Sequence, residues 1–282
     1  MAARVDFERE SGGASARGVA TNGVRVKTVA LPTEHGGWGI TLEPVLLGLL
    51  VAPSTAGAGL ALATVGAFLA RHPFKIVAGD RRRGRRFART PVAERFTILY
   101  ACVALAGFAF ALLKAQGFAF LLPLALAAPL ALVQLWEDAA GRSRGLLPEL
   151  AGSIAMGSVA ASIALAGGAS WTLALGLWVV LAARFVPAIL YVRARLDVLH
   201  GKAESRLPSL VAHAAALAIV AALAYARVLP LLAVVVMALL LARALYGFAR
   251  QWPSTAKRVG FGEIAFGALT VIAVAVGVVF GL

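Results

Sequence analysis

The chain has 282 residues, of which 61% are hydrophobic and only 14% charged, whereas soluble domains carry about 25% charged residues. Its apolar residues come in blocks about as long as the ~30 Å hydrocarbon core of a bilayer requires, which excludes a soluble globule with that little polar surface. The net charge of +14 lies between the blocks, so it reads as a topology signal rather than a nucleic-acid footprint. The single cysteine, Cys102, excludes a disulfide framework or a cysteine-based metal site.

Residues 1–31 mix Arg4, Asp6, Glu8, Arg9 and Glu10 with Gly, Ser and Ala and contain no signal-peptide h-region. They read as a flexible cytoplasmic tail. Residues 32–282 read as one transmembrane helical domain. The predicted fold class is all-α, a polytopic membrane bundle of about nine helices, with spans at 36–52, 55–70, 96–113, 117–136, 147–167, 171–192, 209–226, 229–248 and 261–281. Span two is short, and Pro73 follows it closely, so it continues as an interfacial stretch through 74–78 or breaks there.

The charges fix an orientation for this count. Twenty-four of the 27 Lys and Arg residues fall in the tail and in the connections after spans two, four, six and eight. The opposite side receives Lys114 and Arg227, and Arg184 lies inside span six. By the positive-inside rule the N-terminus is cytoplasmic and the C-terminus faces outward. Trp38, Trp136 and Trp252 fall at the cytoplasmic interface and Trp171 at the outer one, levels that indole rings favour.

All thirteen acids and all four histidines lie in the tail, in cytoplasmic connections or in the cytoplasmic ends of spans, which locates any chemistry on that side. Glu43, inside span one, and Arg184, just before Pro187, are carried into lipid by their helices; Glu149 follows Pro148 at the start of span five. Intramembrane charges mark polar cavities or interhelical ion pairs, and Arg184 is expected to pair with Glu43 or Glu149. The stretch Pro32-Thr-Glu-His-Gly-Gly-Trp-Gly39 places Glu34 and His35 side by side as an acid–base pair, as ligands, or as an ordinary helix start.

Between spans two and three, the run 80–86 is the densest charge cluster. Most of its arginines read as topology and lipid-head contacts, while His72, Lys75, Asp80 and Arg81 are candidates for an ordered phosphate or diphosphate site. Between spans six and seven, Arg193, Asp197 and His200 share one helical face, with Lys202 beyond. That face can hold an anion or a metal–anion pair, or be an amphipathic extension with an Arg193–Asp197 pair. Arg71 followed by Gly79-Asp80, and Arg193 followed by Gly201-Lys202, form an internal echo that fits a pseudo-repeated bundle.

The segments Pro-Thr-Glu-His-Gly-Gly-Trp-Gly (32–39), Leu-Glu-Pro-Val-Leu-Leu-Gly (42–48) and Arg-His-Pro-Phe-Lys (71–75) resemble the YwiC-like family of bacterial integral membrane proteins, over about residues 31–280. More distantly, nine spans with functional connections after spans two and six look like the UbiA superfamily of intramembrane prenyltransferases. That resemblance implies a UbiA-like bundle with a cytoplasm-facing cavity for a diphosphate and a lipid-facing tunnel for an isoprenoid tail. It also implies magnesium held by aspartate-rich motifs in both connections, of which this sequence offers only Asp80 and Asp197.

The resulting expectation is a protein of the bacterial inner (plasma) membrane. It would be an enzyme, a prenyltransferase-like or other lipid-modifying transferase, acting on an isoprenoid or other amphiphile with an anionic head. Glu34, His35, Glu43, His72 and Asp80 would be its catalytic candidates, and Lys75, Arg81, Glu149, Arg184, Arg193, Asp197, His200 and Lys202 its anion-binding ones. The alternative is a transporter or an accessory or assembly protein that binds an anionic lipid or metabolite; nucleic acid is not an expected partner. An enzyme of this kind predicts that Glu43, His72 and Asp80 converge in one cavity open to lipid, and a transporter predicts a polar path to the outer face.

Overall fold

The computed structural model describes residues 25–32, 35–199, 201, 205–250 and 255–282. Among them every regular element is helical: α1 (Val26–Ala30), α2 (His35–Val51), α3 (Thr55–Arg82), α4 (Thr90–Lys114), α5 (Leu121–Ala139), α6 (Leu146–Ala166), α7 (Trp171–Leu199), α8 (Leu207–Tyr225), α9 (Leu231–Arg250) and α10 (Ala256–Phe280). From α3 to α10, eight helices are long and apolar enough to cross a bilayer, and α2 contributes a shorter apolar stretch, Gly36–Val51. The protein is a multi-pass membrane helical bundle in which α2 to α10 run alternately up and down. At 16 residues the apolar part of α2 is only ~24 Å long at the α-helical rise, so the expected nine spans resolve into eight full-length helices and one short one.

Two predicted boundaries move. Span two is neither short nor broken: α3 runs unbroken through Pro73 for 28 residues. The ring removes one donor from the ladder, but the helix is anchored on both sides of it, before it through Arg71, which donates to Asp138 of α5, and after it through Arg82, whose Nη1 donates to Ala139 O at 3.0 Å. Residues 26–30, within what reads as a flexible tail, form α1. Its Val29 packs with Val77 of α3 and Ala93 of α4, and Ala30 is buried as well.

Small residues set the packing. Helices in lipid gain no hydrophobic drive from meeting each other, so close backbone approach carries the contact. A Cβ at Gly66 would lie 2.7 Å from Ala104 N, and one at Gly107 would lie 2.6 Å from Ala63 N. Either would force α3 and α4 apart. The centre is α6, rich in Ala, Gly and Ser and two-thirds buried (67%), flanked by α7 (56%); α4 and α5, at 11% and 17%, face outward. Trp178 of α7 donates through Nε1 to Ile154 O of α6 at 2.8 Å. α2 packs against α6 on one side and α10 on the other, which brings its polar residues into the interior.

Candidate functional site

Four helices carry a charged side chain to one interior level. Glu43 is the ninth residue of α2, ~12 Å from that helix's start, and it faces Arg184 of α7, which shares Glu263 of α10 with Arg243 of α9. Their side chains are 8%, 3%, 15% and 14% exposed. A lone charge at this level would cost several kcal/mol. Two acids against two arginines make the group formally neutral.

Glu263 is the hub. Arg184 Nη1 donates to Glu263 Oε2 at 3.1 Å, and Nη2 donates to the Glu263 backbone oxygen at 2.8 Å. On its other side, Glu263 Oε1 lies 2.7 Å from Arg243 Nη2. That contact is ionic without an aligned hydrogen bond, since Arg243 Nε and Nη2 both lack a hydrogen-bond partner. The Arg243 guanidinium rests instead on two rings, 4.1 Å from the Tyr191 centroid and 4.8 Å from that of Phe266. Glu43 is held most loosely: its Oε2 is 3.8 Å from Arg184 Nε, and neither atom has a hydrogen-bond partner. Room for its carboxylate comes from Gly267, where a Cβ would overlap it.

Beside the quartet, toward the basic end of the bundle, a cleft of about 250 Å³ opens between α7, α9 and α10. Arg195, Arg243, Arg250 and Arg258 line it with Glu263 and the rings of Tyr191, Tyr246 and Phe266. Four guanidinium groups facing one carboxylate make an anion-accepting surface, and the aromatic walls suit an apolar neighbour to that anion. Gly247 shapes the wall, because a Cβ there would collide with the Tyr191 hydroxyl. Arg195 Nη1 donates to the Gly247 carbonyl at 3.2 Å. In the other direction the interior is apolar: Leu47, Ala160, Leu177, Leu181, Val220, Val236, Leu240 and Val274 fill the space beyond the quartet.

The remaining sequence candidates lie elsewhere. His72 and Lys75 line a small depression of about 20 Å³ with Pro32, Gly37, Phe68 and Arg71. There His72 Nε2 is 3.1 Å from Thr28 O, which ties α1 to α3. Asp80 is buried and fully engaged: it accepts from Arg89 Nη2 at 2.7 Å, Arg89 Nε at 3.3 Å and Thr90 Oγ1 at 2.8 Å. This clasp closes the 83–89 connection, and the Asp80 carboxylate holds the Arg89 guanidinium above its ordinary value. Arg81 and Arg86 both reach Glu94. Glu149 accepts from Arg193 Nη1 at 2.8 Å, so it is not the partner of Arg184, and Asp197 is half-buried and engaged. Glu34, His200 and Lys202 lie outside the described residues, as does the side chain of His35.

Glu43, His72 and Asp80 therefore fall in three separate clusters, against the convergence that the transferase expectation requires. Asp80 already accepts three hydrogen bonds, and among the described residues no three His, Cys, Asp or Glu side chains gather as metal ligands. The described residues do not fit a diphosphate–magnesium centre.

Reading the sequence placed Arg243 in a connection and Glu263 at a helix end. Both had a visible signal, since 243 lies within the predicted span 229–248 and 263 within 261–281. The rule that singled out Glu43 and Arg184 applies to them equally.

Residues 31–164 match the family model described as YwiC-like protein. The chain is YwiC-like over that stretch. The YwiC-like part holds α2 to α5 and nearly all of α6, with Glu43, the α1-facing depression and the Asp80 clasp; Arg184, Arg243, Glu263 and the arginine cleft lie beyond it. No curated protein and no solved structure compared with the chain matches it, so the UbiA likeness rests on topology and sequence pattern alone.

Proposed function

We propose that this is a bacterial plasma-membrane protein whose cytoplasmic end binds an amphiphile with a phosphate-type anionic head, in the cleft between α7, α9 and α10. The observation that carries the reading is Arg243. It is held between Tyr191 and Phe266 with two guanidinium nitrogens lacking a hydrogen-bond partner, at the inner wall of a cleft lined by three further arginines. Nη2 has only its unaligned ionic contact with Glu263 to give up, and a guanidinium fork matches the oxygens of a phosphate group. About 250 Å³ has room for a headgroup rather than a whole lipid, which leaves the tail against the exposed apolar surface of Leu245 and Phe261. The cytoplasmic placement follows from the basic connections, which share this end of the bundle.

Binding is favoured over group transfer because Glu43 and Asp80, two carboxylates a transferase would use together, sit in separate clusters with different partners. The test uses full-length protein in phosphatidylcholine nanodiscs, titrated with dioctanoyl-phosphatidylglycerol, dioctanoyl-phosphatidylcholine and inorganic sulfate. Saturable binding of the anionic lipid, lost in Arg243→Gln, is expected. Binding of sulfate alone would make the ligand a free anion, and equal responses to both lipids in wild type and R243Q would overturn the reading.

A further inference from the structure

We infer that anion binding in this cleft is coupled to uptake of one proton by Glu43, which makes the buried quartet a proton-linked switch. This inference rests on the cleft reading above. Without ligand, Arg184 and Arg243 are balanced by Glu43 and Glu263, with Glu263 bridging the two arginines. A phosphate-type head that competes with Glu263 for Arg243 adds a third anion beside two buried cations; of the other cleft arginines, Arg250 and Arg258 are exposed and Arg195 donates to the Gly247 carbonyl. In a water-poor interior such an excess is costly and is relieved by neutralising a charge.

The geometry selects which one. Glu263 keeps Arg184 as a hydrogen-bonded partner even if the ligand displaces it from Arg243. Glu43 has no such hold, because its Oε2 accepts no hydrogen bond and its only cation stands at 3.8 Å. The groups that face it from neighbouring helices sharpen the choice. α7 offers Arg184, α10 offers Glu263, a like charge, and α9 and α8 supply Arg243 and His213 at greater distance. The acid of α6, Glu149, is held by Arg193, and the charged residues of α3 begin only at Arg71. His213 sits against the Ser209 carbonyl at 2.8 Å, and charging it would place a third cation beside the arginines. The proton comes from the cytoplasmic side, since the apolar core seals the other.

Isothermal titration of full-length protein in nanodiscs tests this with dioctanoyl-phosphatidylglycerol, whose phosphodiester keeps a fixed charge. Titrations in buffers of different ionisation enthalpy count the protons directly in the wild type, independent of any variant. One proton taken up per lipid is expected, with affinity weakening by up to about tenfold per pH unit on the alkaline side. Glu43→Gln is expected to bind without proton uptake and with a flat pH profile, while His213→Asn keeps the slope. Binding with no proton uptake in the wild type, or a slope that survives E43Q and vanishes in H213N, overturns the coupling and leaves the cleft reading standing. No binding at any pH overturns both.

Discussion

Glu43 and Gly267 touch so closely across the α2–α10 contact that a methyl group on the glycine would overlap the carboxylate. The deepest acid of α2 therefore depends on a missing side chain in α10. Gly267→Ala is expected to push Glu43 off Arg184 or separate the helices, at about 1–3 kcal/mol, the usual cost of overpacking a tight site. Thermal unfolding in detergent reads this out. Gly260→Ala on the same helix, where a Cβ meets nothing within 4 Å, should change stability little. Equal shifts in the two variants would show that the contact does not exist.

The quartet is also expected to behave as one neutral unit. Replacing Arg184 by Met leaves two acids and one arginine at a buried level, and breaking a buried pair in this way costs about 3–5 kcal/mol. Arg184→Met with Glu43→Gln restores neutrality, with Glu263 and Arg243 still adjacent. The double variant should therefore be more stable than R184M alone, although it carries one more substitution. Melting temperatures of the single and double variants decide it, and additive losses would mean that the charges do not interact.

Asp80 is expected to hold a loop rather than a metal. Its carboxylate fastens Arg89 and Thr90 to the end of α3, and the connection it closes is dense in arginine. Asp80→Ala should release that connection and speed tryptic cleavage within residues 81–89 several-fold, leaving lipid binding at the distant cleft unchanged. Magnesium should not protect the wild type from trypsin. Protection that disappears in D80A would return Asp80 to the role of metal ligand.

Much of the helix plan was legible because apolar block length and basic connections are local signals. The predicted span 171–192, for instance, lies inside α7 (171–199), which differs only in running on beyond the membrane. The continuity of α3 through Pro73 was not legible, since it depends on contacts that residues 138 and 139 make with the helix. Arg184 with Glu43 was visible as a pair of misplaced charges. The role of Glu263 as hub was not, because it requires knowing that α10 packs against α2, a contact across more than two hundred residues. The Asp80 clasp was not legible for a different reason: its partner Arg89 lies close in sequence, but one acid among many arginines gives no sign of which it will clasp.

The orientation makes a last prediction independent of any ligand. Arg85, Arg142 and Arg206 lie in connections at one end of the bundle, and Ser170 and Ala226 at the other. Because the basic residues collect at the first end, the positive-inside rule predicts that this end is cytoplasmic. In a Cys102→Ala background, single cysteines at 85, 142 and 206 should react with a membrane-impermeant maleimide only after cells are opened. Cysteines at 170 and 226 should react in intact cells. The discriminating pair is 85 and 206, which border α4 and α8. Four helices, α4 to α7, separate them, so an odd number of crossings in that interval would put them on opposite sides. Labelling of one but not the other in intact cells would break the alternation that joins α7, α9 and α10 around the proposed cleft.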